Sequence, residues 1–262
     1  TKIEKKTFLK KGKVVKIFCG NNKTNLNRIF LTPNFDLLKI KNKTNIHIGF
    51  ESLKIKILKS SKLKKYLIGR VIKSGYLESR KGVHIDQMIK LKCVSDKDVY
   101  AMKLGLKHQI SHYAISFVNS YKDILLIKKI IGKKNKIISK IETKKAIKDL
   151  KKISDESNAL LIDRGDLSRY IPIEKIPLIQ EQIIRQAKKF NKPVYIATNL
   201  LETMIKQNLP TRAESNDIYS SLDRGAKGLV LAAETAIGNY PLECVKFLKR
   251  CISAFKNKKR FL

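Results

Sequence analysis

Residues 136–167 read KIISKIETKKAIKDLKKISDESNALLIDRGDL, and their patterning points to the fold class. Two short apolar runs, KIISKIE (136–142) and NALLID (158–163), flank a stretch predicted to be helical over about 145–156. Nearly continuous apolar strands joined by an amphipathic helix imply a parallel sheet covered on both faces. The pattern continues outward: YAISF (113–117) precedes it, and KPVYIAT (192–198) and KGLVLAAE (227–234) follow. Further helices are predicted at about 96–107, 120–133, 173–190, 212–225 and 241–255. Ser95 with Asp98, and Thr211 with Glu214, have the spacing of a capping box, in which side chains satisfy free backbone N–H groups. Pro241 stands at the start of the last helix, where proline is favoured. A dinucleotide-binding sheet would carry GxGxxG after its first strand, and none is present. What remains is a (β/α)8 barrel or part of one, with five strands countable rather than eight.

Upstream the texture changes. VVKIFCG, RIFLT, LLKIK, NIHIGF, LKIKIL and YLIGRVIKSG alternate with period two between turn residues, so 1–86 is predicted to be an all-β module and 87–262 the α/β part. No apolar run reaches the roughly 18 residues of a membrane helix. The opening TKIEKKTFLKKGK lacks the apolar stretch of a secretory signal and does not begin with Met. The cytoplasm is therefore the default compartment, and the start of the gene product is expected to lie further upstream. Cys19, Cys93, Cys244 and Cys251 have no metal-ligand spacing, and His108 with His112 lacks the glutamate of HExxH. The net charge of +35 invites a nucleic-acid reading. Yet the lysines run from Lys2 to Lys259 without a patch and Trp is absent, so compositional drift in an AT-rich coding sequence is preferred. A positive field that draws in anionic substrates is the functional alternative. Neither a specific nucleic acid nor a membrane is expected as a partner.

Lys140 and Glu142 stand two apart on one strand and so share a face. Charged side chains there are costly unless paired or bound to something, which leaves a structural ion pair and a catalytic pair both open. The next strand runs into Arg164-Gly165-Asp166-Leu167, where glycine permits a tight turn and Asp166 offers a hard oxygen ligand. Glu142 and Asp166 could together hold Mg2+ with sites left for substrate oxygens. Thr198 and Glu234 are placed at the ends of the following two strands, on the same rim.

These residues resemble the motifs of the pyruvate kinase family. The resemblance rests on KIISKIE, DRGDL, IPIEKIPLIQ, KPVYIATNLLETMIKQNLPTRAESNDI and ETAIGNYPLE, in order and spacing. SGYLESRKGVHI and VSDKDVYAMKLGL resemble the return from that family's lid into its barrel. The match runs from about Lys73 to Cys251 and is weaker over 1–72, where LKKGKVVKI resembles an early lid strand. It implies an α/β fold: a partial TIM-type (β/α)8 barrel, strands 4–8, preceded by a small all-β lid domain. It also implies the glycolytic reaction of phosphoenolpyruvate and ADP to pyruvate and ATP. Lys140, Thr198 and, in a supporting role, Arg164 are then the catalytic candidates. Lys140, Gly165, Asp166 and Thr198 would bind substrate, the N–H groups of Gly165 and Asp166 receiving its carboxylate. Glu142 and Asp166 would ligate Mg2+. K+ is expected of the family, but its ligands lie on the first three barrel strands, which this sequence lacks, as it lacks the regulatory C-terminal domain. A homo-oligomer is expected of the complete protein, with Arg212 in a segment resembling an interface. Departures from the family pattern are His47-Ile48-Gly49-Phe50-Glu51 in the lid loop, Ala232 for a serine and Asn199 for a glutamine. They keep open an inactive relic, and a magnesium-dependent lyase or aldolase acting on phosphoenolpyruvate or pyruvate is the third reading. Lys140 beside Glu142 and Asp166 favours the kinase over the aldolase.

Overall fold

Up to about residue 85, alternation of β-branched and charged residues does produce strands. In a computed structural model, residues 3, 5–20, 22, 24–49, 53–79, 81–87, 89, 91 and 93–257 are described. Phe50 and Glu51 of the lid loop lie outside them. The chain divides into two units, Thr1–Lys92 and Cys93–Leu262, against the change of texture read near residue 86. The first holds β1 (Thr7–Leu9), β2 (Val14–Cys19), β3 (Arg28–Leu31), β4 (Asn45–Ile48), β5 (Leu53–Ser61), β6 (Tyr66–Lys73), β7 (Gly75–Leu77) and β8 (Val83–Ile85). Six of them form one sheet in the order β3-β2-β6-β5-β4-β8, while β1 pairs with β7. Along β5 the side chains of Leu53, Ile55 and Ile57 turn inward and the intervening lysines outward, so one face is core. Gly69 in β6 is required by close approach, because a Cβ there would lie 2.5 Å from Ile55 Cγ2. One strand expectation fails. LLKIK forms a 3-10 turn at Leu37–Lys39, since Leu37 and Ile40 are both buried at a spacing of three rather than two.

The second unit contains β9 (His112–Ile115), β10 (Lys136–Ile141), β11 (Ala159–Asp163), β12 (Val194–Ala197) and β13 (Gly228–Val230). Its helices are α1 (Asp96–Lys107), α2 (Tyr121–Ile131), α3 (Lys144–Lys148), α4 (Leu150–Glu156), α5 (Arg164–Leu167), α6 (Ile176–Lys189), α7 (Arg212–Arg224), α8 (Ala233–Ala236) and α9 (Pro241–Lys256). All five strands are parallel and lie side by side in sequence order, with none of the order reversal of a doubly wound sheet. That is the strand order of a barrel sector, as expected from the sequence. Ile137, Ile141, Leu160, Ile162 and Ile196 from the strands pack with Ile124, Ile153, Ile183 and Leu248 from the helices. Each such burial stabilises the unit by about 2 kcal/mol. No helix among the described residues is long and apolar enough to cross a membrane.

Both predicted capping boxes form, at the starts of α1 and α7, and Pro241 occupies the first turn of α9. The helix read over 145–156 is instead two, α3 and α4, broken at Asp149, whose carboxylate accepts the Tyr121 N–H at 2.9 Å. The run at 227–234 is also shorter than read. Its strand ends at Val230, and Ala233–Ala236 coils into α8, so Glu234 sits on a helical turn rather than at a strand end.

Candidate active site

Lys140 lies near the C-terminal end of β10, and Glu142 follows just beyond it. The register sets Ile141 opposite Ile162, so Asp163, closing β11, comes up beside Glu142. Lys140 Nζ lies 2.7 Å from Glu142 Oε1 and 3.0 Å from Asp163 Oδ2, and reaches Ser116 Oγ at 3.4 Å. Glu142 is fully buried, and its Oε2 accepts the Phe117 N–H at 2.5 Å. Its Oε1 has the Lys140 ammonium as its sole polar neighbour among the described residues, a charge-assisted contact at 2.7 Å. The backbone bends to make this possible: Phe117 has φ 54, ending the strand that the sequence extended to residue 117.

Burial is the largest influence on Lys140 and pulls its pKa down, but Glu142 and Asp163 outweigh it and hold the pKa above the ordinary lysine value. Burial likewise dominates at Glu142 and pushes its pKa up. Lys140 and the Phe117 N–H oppose that rise, and the charge of Asp163 adds to it. Oxygens of Glu142, Asp163 and Asp166 lie within 4.8 Å of one another, the one such group of metal-capable side chains among the described residues. Three carboxylates, one of them fully buried and met on Oε1 by Lys140 alone, suit a hard divalent cation, so the residues present fit magnesium.

Gly165 and Asp166 follow Arg164 in α5, and their N–H groups are engaged within the chain. Gly165 donates to Thr198 Oγ1 at 2.8 Å and Asp166 to Asp163 Oδ1 at 3.4 Å. The Asp166 carboxylate pairs with Arg169 at 3.2 Å. Thr198, just beyond β12, has φ 69 and Asn199 has φ 55. A β-branched residue there is strained by about 1–3 kcal/mol and persists only if the surroundings enforce it. Arg164 supplies that enforcement: its Nη2 donates to Thr198 O at 2.7 Å and Asn199 O at 3.1 Å, while Nη1 pairs with Asp217 at 2.6 Å. Arg164 therefore acts on the site through the Thr198 turn.

The sequence brought Lys140, Glu142, Gly165, Asp166 and Thr198 to one rim, and they gather there. Glu234 does not join them. It is 1% exposed, and its carboxylate accepts the N–H groups of Leu200, Leu201 and Ala232, bracing the segment after β12. Asp163 and Ser116 were missed. The signal for Asp163 was present, since a carboxylate ending an apolar strand is the criterion that singled out Glu234.

A family model described as pyruvate kinase, barrel domain, matches residues 2–245, including the N-terminal stretch where motif resemblance is weak. The pyruvate kinase of Thermotoga maritima is 40% identical over 191 residues, 71% of this chain and 41% of that protein. Pyruvate kinase isozyme G of Ricinus communis, chloroplastic, is 38% identical over 204 residues, 76% of this chain and 48% of that protein. The crystal structure of Cryptosporidium parvum pyruvate kinase superimposes with a TM-score of 0.89 at 29% identity, covering 97% of this chain and 55% of that one. The chain thus spans less than half the length of these two curated relatives. Parallel strands in sequence order, a lysine and carboxylates at their C-terminal ends, and a family match over nearly the whole length lead to one conclusion: the chain belongs to the pyruvate kinase family.

Proposed function

We propose that this site transfers the phosphoryl group of phosphoenolpyruvate to ADP, giving pyruvate and ATP in glycolysis. The observation that carries the reading is Lys140: a cation held between Glu142 and Asp163 at the strand ends, with 20% of its side chain still open to a ligand. Phosphoryl transfer asks a protein mainly for positioning and for charge neutralisation. The P–O bond to the enol oxygen breaks as the bond to the ADP oxygen forms, and the enolate carbon then takes a proton. Lys140 would offset charge on the moving phosphoryl group and on the enolate. Glu142 and Asp166 would hold magnesium, which when bound supplies further neutralisation of phosphate charge. K+ is a family expectation to which no residue of this chain is assigned.

Thr198 is the hydroxyl assigned to substrate contact and to the proton-delivery region. Its single proton has two acceptors, Ala197 O at 2.6 Å and Asp163 Oδ1 at 3.4 Å. Gly165 and Asp166 are assigned to the substrate carboxylate, and a carboxylate arriving there must displace the contacts their N–H groups now make. Arg164 is a positioning residue that fixes the Thr198 turn. Action in the cytoplasm and assembly as a homo-oligomer, with Arg212 at the start of α7 in the contacting segment, belong to the same proposal. The test is ADP-dependent formation of pyruvate from phosphoenolpyruvate with Mg2+ and K+, comparing the protein with Lys140→Met. Loss of at least about a thousandfold is expected when a transition-state cation of this kind is removed. Turnover unaltered by Lys140→Met would defeat this mechanism.

A further inference from the structure

We propose that Asp163 is a third protein carboxylate of the divalent-cation site, and that Lys140 is the tethered counterion which the entering cation displaces. The inference rests on the reading of Glu142 and Asp166 as magnesium ligands and extends it to a residue that reading leaves out. Three carboxylates stand against Lys140 and, at the edge, Arg169, so one negative charge within the cluster is uncompensated. Burying such a charge is costly unless a counterion enters.

The two most deeply placed members are the two that Lys140 touches. The Glu142 side chain is 0% exposed and that of Asp163 11%. Glu142 Oε1 meets the ammonium at 2.7 Å and no other donor among the described residues, so Lys140 alone stands in for a cation at that buried oxygen. A small divalent ion would approach the carboxylate oxygens more closely than an ammonium can. Two cations held against the same pair of carboxylates repel one another, so Lys140 gives up at least one of its contacts at 2.7 and 3.0 Å. Ser116 Oγ, at 3.4 Å, is the other acceptor already within its reach. Occupation of the cation site thereby releases Lys140 for an anionic ligand, and Asp163 is the residue through which the two cations compete.

Mn2+ titrated into the full chain, without substrate or nucleotide and followed by the electron paramagnetic resonance of the free ion, tests this. Asp163→Asn is expected to weaken Mn2+ binding by about 10- to 100-fold, the scale for residues that support a metal site. Lys140→Met, which removes the competitor, is expected to tighten it; Glu142→Gln, which removes an assigned ligand, calibrates the loss. Affinity within twofold of the parent in Asp163→Asn, weaker binding in Lys140→Met, or no binding by the parent at millimolar Mn2+ each overturns the proposal. A thermal melt in EDTA establishes that each variant folds, and if Asp163→Asn does not, the Lys140→Met arm decides. Pyruvate formation with unaltered metal affinities sinks this inference alone. The expected affinities without pyruvate formation sink the catalytic reading alone.

Discussion

Glu234→Gln separates a bracing role from a catalytic one. The carboxylate is 1% exposed, and its Oε1 accepts the Leu200 and Leu201 N–H groups at 3.2 and 3.1 Å while Oε2 accepts that of Ala232 at 2.8 Å. Glutamine has the same shape but a single acceptor. If its oxygen serves the two leucines, its NH2 group faces the Ala232 N–H, donor against donor. One backbone donor and one amide donor then lose partners, at about 1–3 kcal/mol each for buried groups. The remaining two bonds also lose their charge assistance. The expected loss is about 3 kcal/mol, and Glu234→Ala, which strands all three donors, should cost about 5 kcal/mol, near the upper end for single substitutions. Urea unfolding followed by circular dichroism reads the difference, with a thermal midpoint lowered by about 2–4 °C per kcal/mol. A Gln variant within about 0.5 kcal/mol of the parent would refute the reasoning. Unchanged stability with lost turnover would restore Glu234 to the rim where the sequence placed it.

Arg164→Met should loosen the strained turn at Thr198 and Asn199, because the two carbonyls lose their donors. About 2 kcal/mol of stability should go, with faster limited proteolysis between residues 198 and 203; cleavage at the parent's rate would sink that account. At Glu214 burial pushes the pKa up, but donors from Thr211 and Thr203 outweigh it and hold the carboxyl below the ordinary glutamate value. A depressed folded pKa stabilises above the unfolded value, about 4.3, and that contribution is lost as pH falls through the folded pKa. The gap between parent and Glu214→Gln, about 1 kcal/mol at neutral pH, should therefore narrow as pH falls below the unfolded value of about 4.3. Paired urea curves at neutral pH and over a series of acid steps check it, and a gap that does not narrow in acid is the contrary result.

What the sequence revealed was whatever a short window contains. The βα alternation, both capping boxes and the Lys140–Glu142 pair depend on spacings of two to four residues, and all appear in the structure. What it concealed depends on partners far along the chain. Arg164 reads as part of a tripeptide, but its meaning comes from carbonyls 34 and 35 residues away and from Asp217. Glu234 looked like a strand end because an apolar run continued to it; the strand stops at Val230, and three backbone donors fix where the side chain goes. Asp163 was overlooked between an apolar strand and a conspicuous Arg-Gly-Asp, although it touches Lys140 and approaches Thr198. Burial at a spacing of three turned LLKIK into a helical turn because Leu37 and Ile40 both needed the core.

The order β9-β10-β11-β12-β13 also governs when the charged centre can be put together. Each strand pairs with its neighbours along the chain, so each pairing closes a loop of modest length and modest entropic cost. A ribosome releases the chain N-terminus first, and every strand of this sheet after β9 meets a partner already made. Lys140 and Glu142 arrive with the end of β10, and Asp163 and Asp166 with the end of β11. A single strand pairing therefore brings the lysine and all three carboxylates together. Thr198 and Asp217 come later in synthesis, and the hydroxyl that caps Gly165 is the last of the rim groups to be delivered.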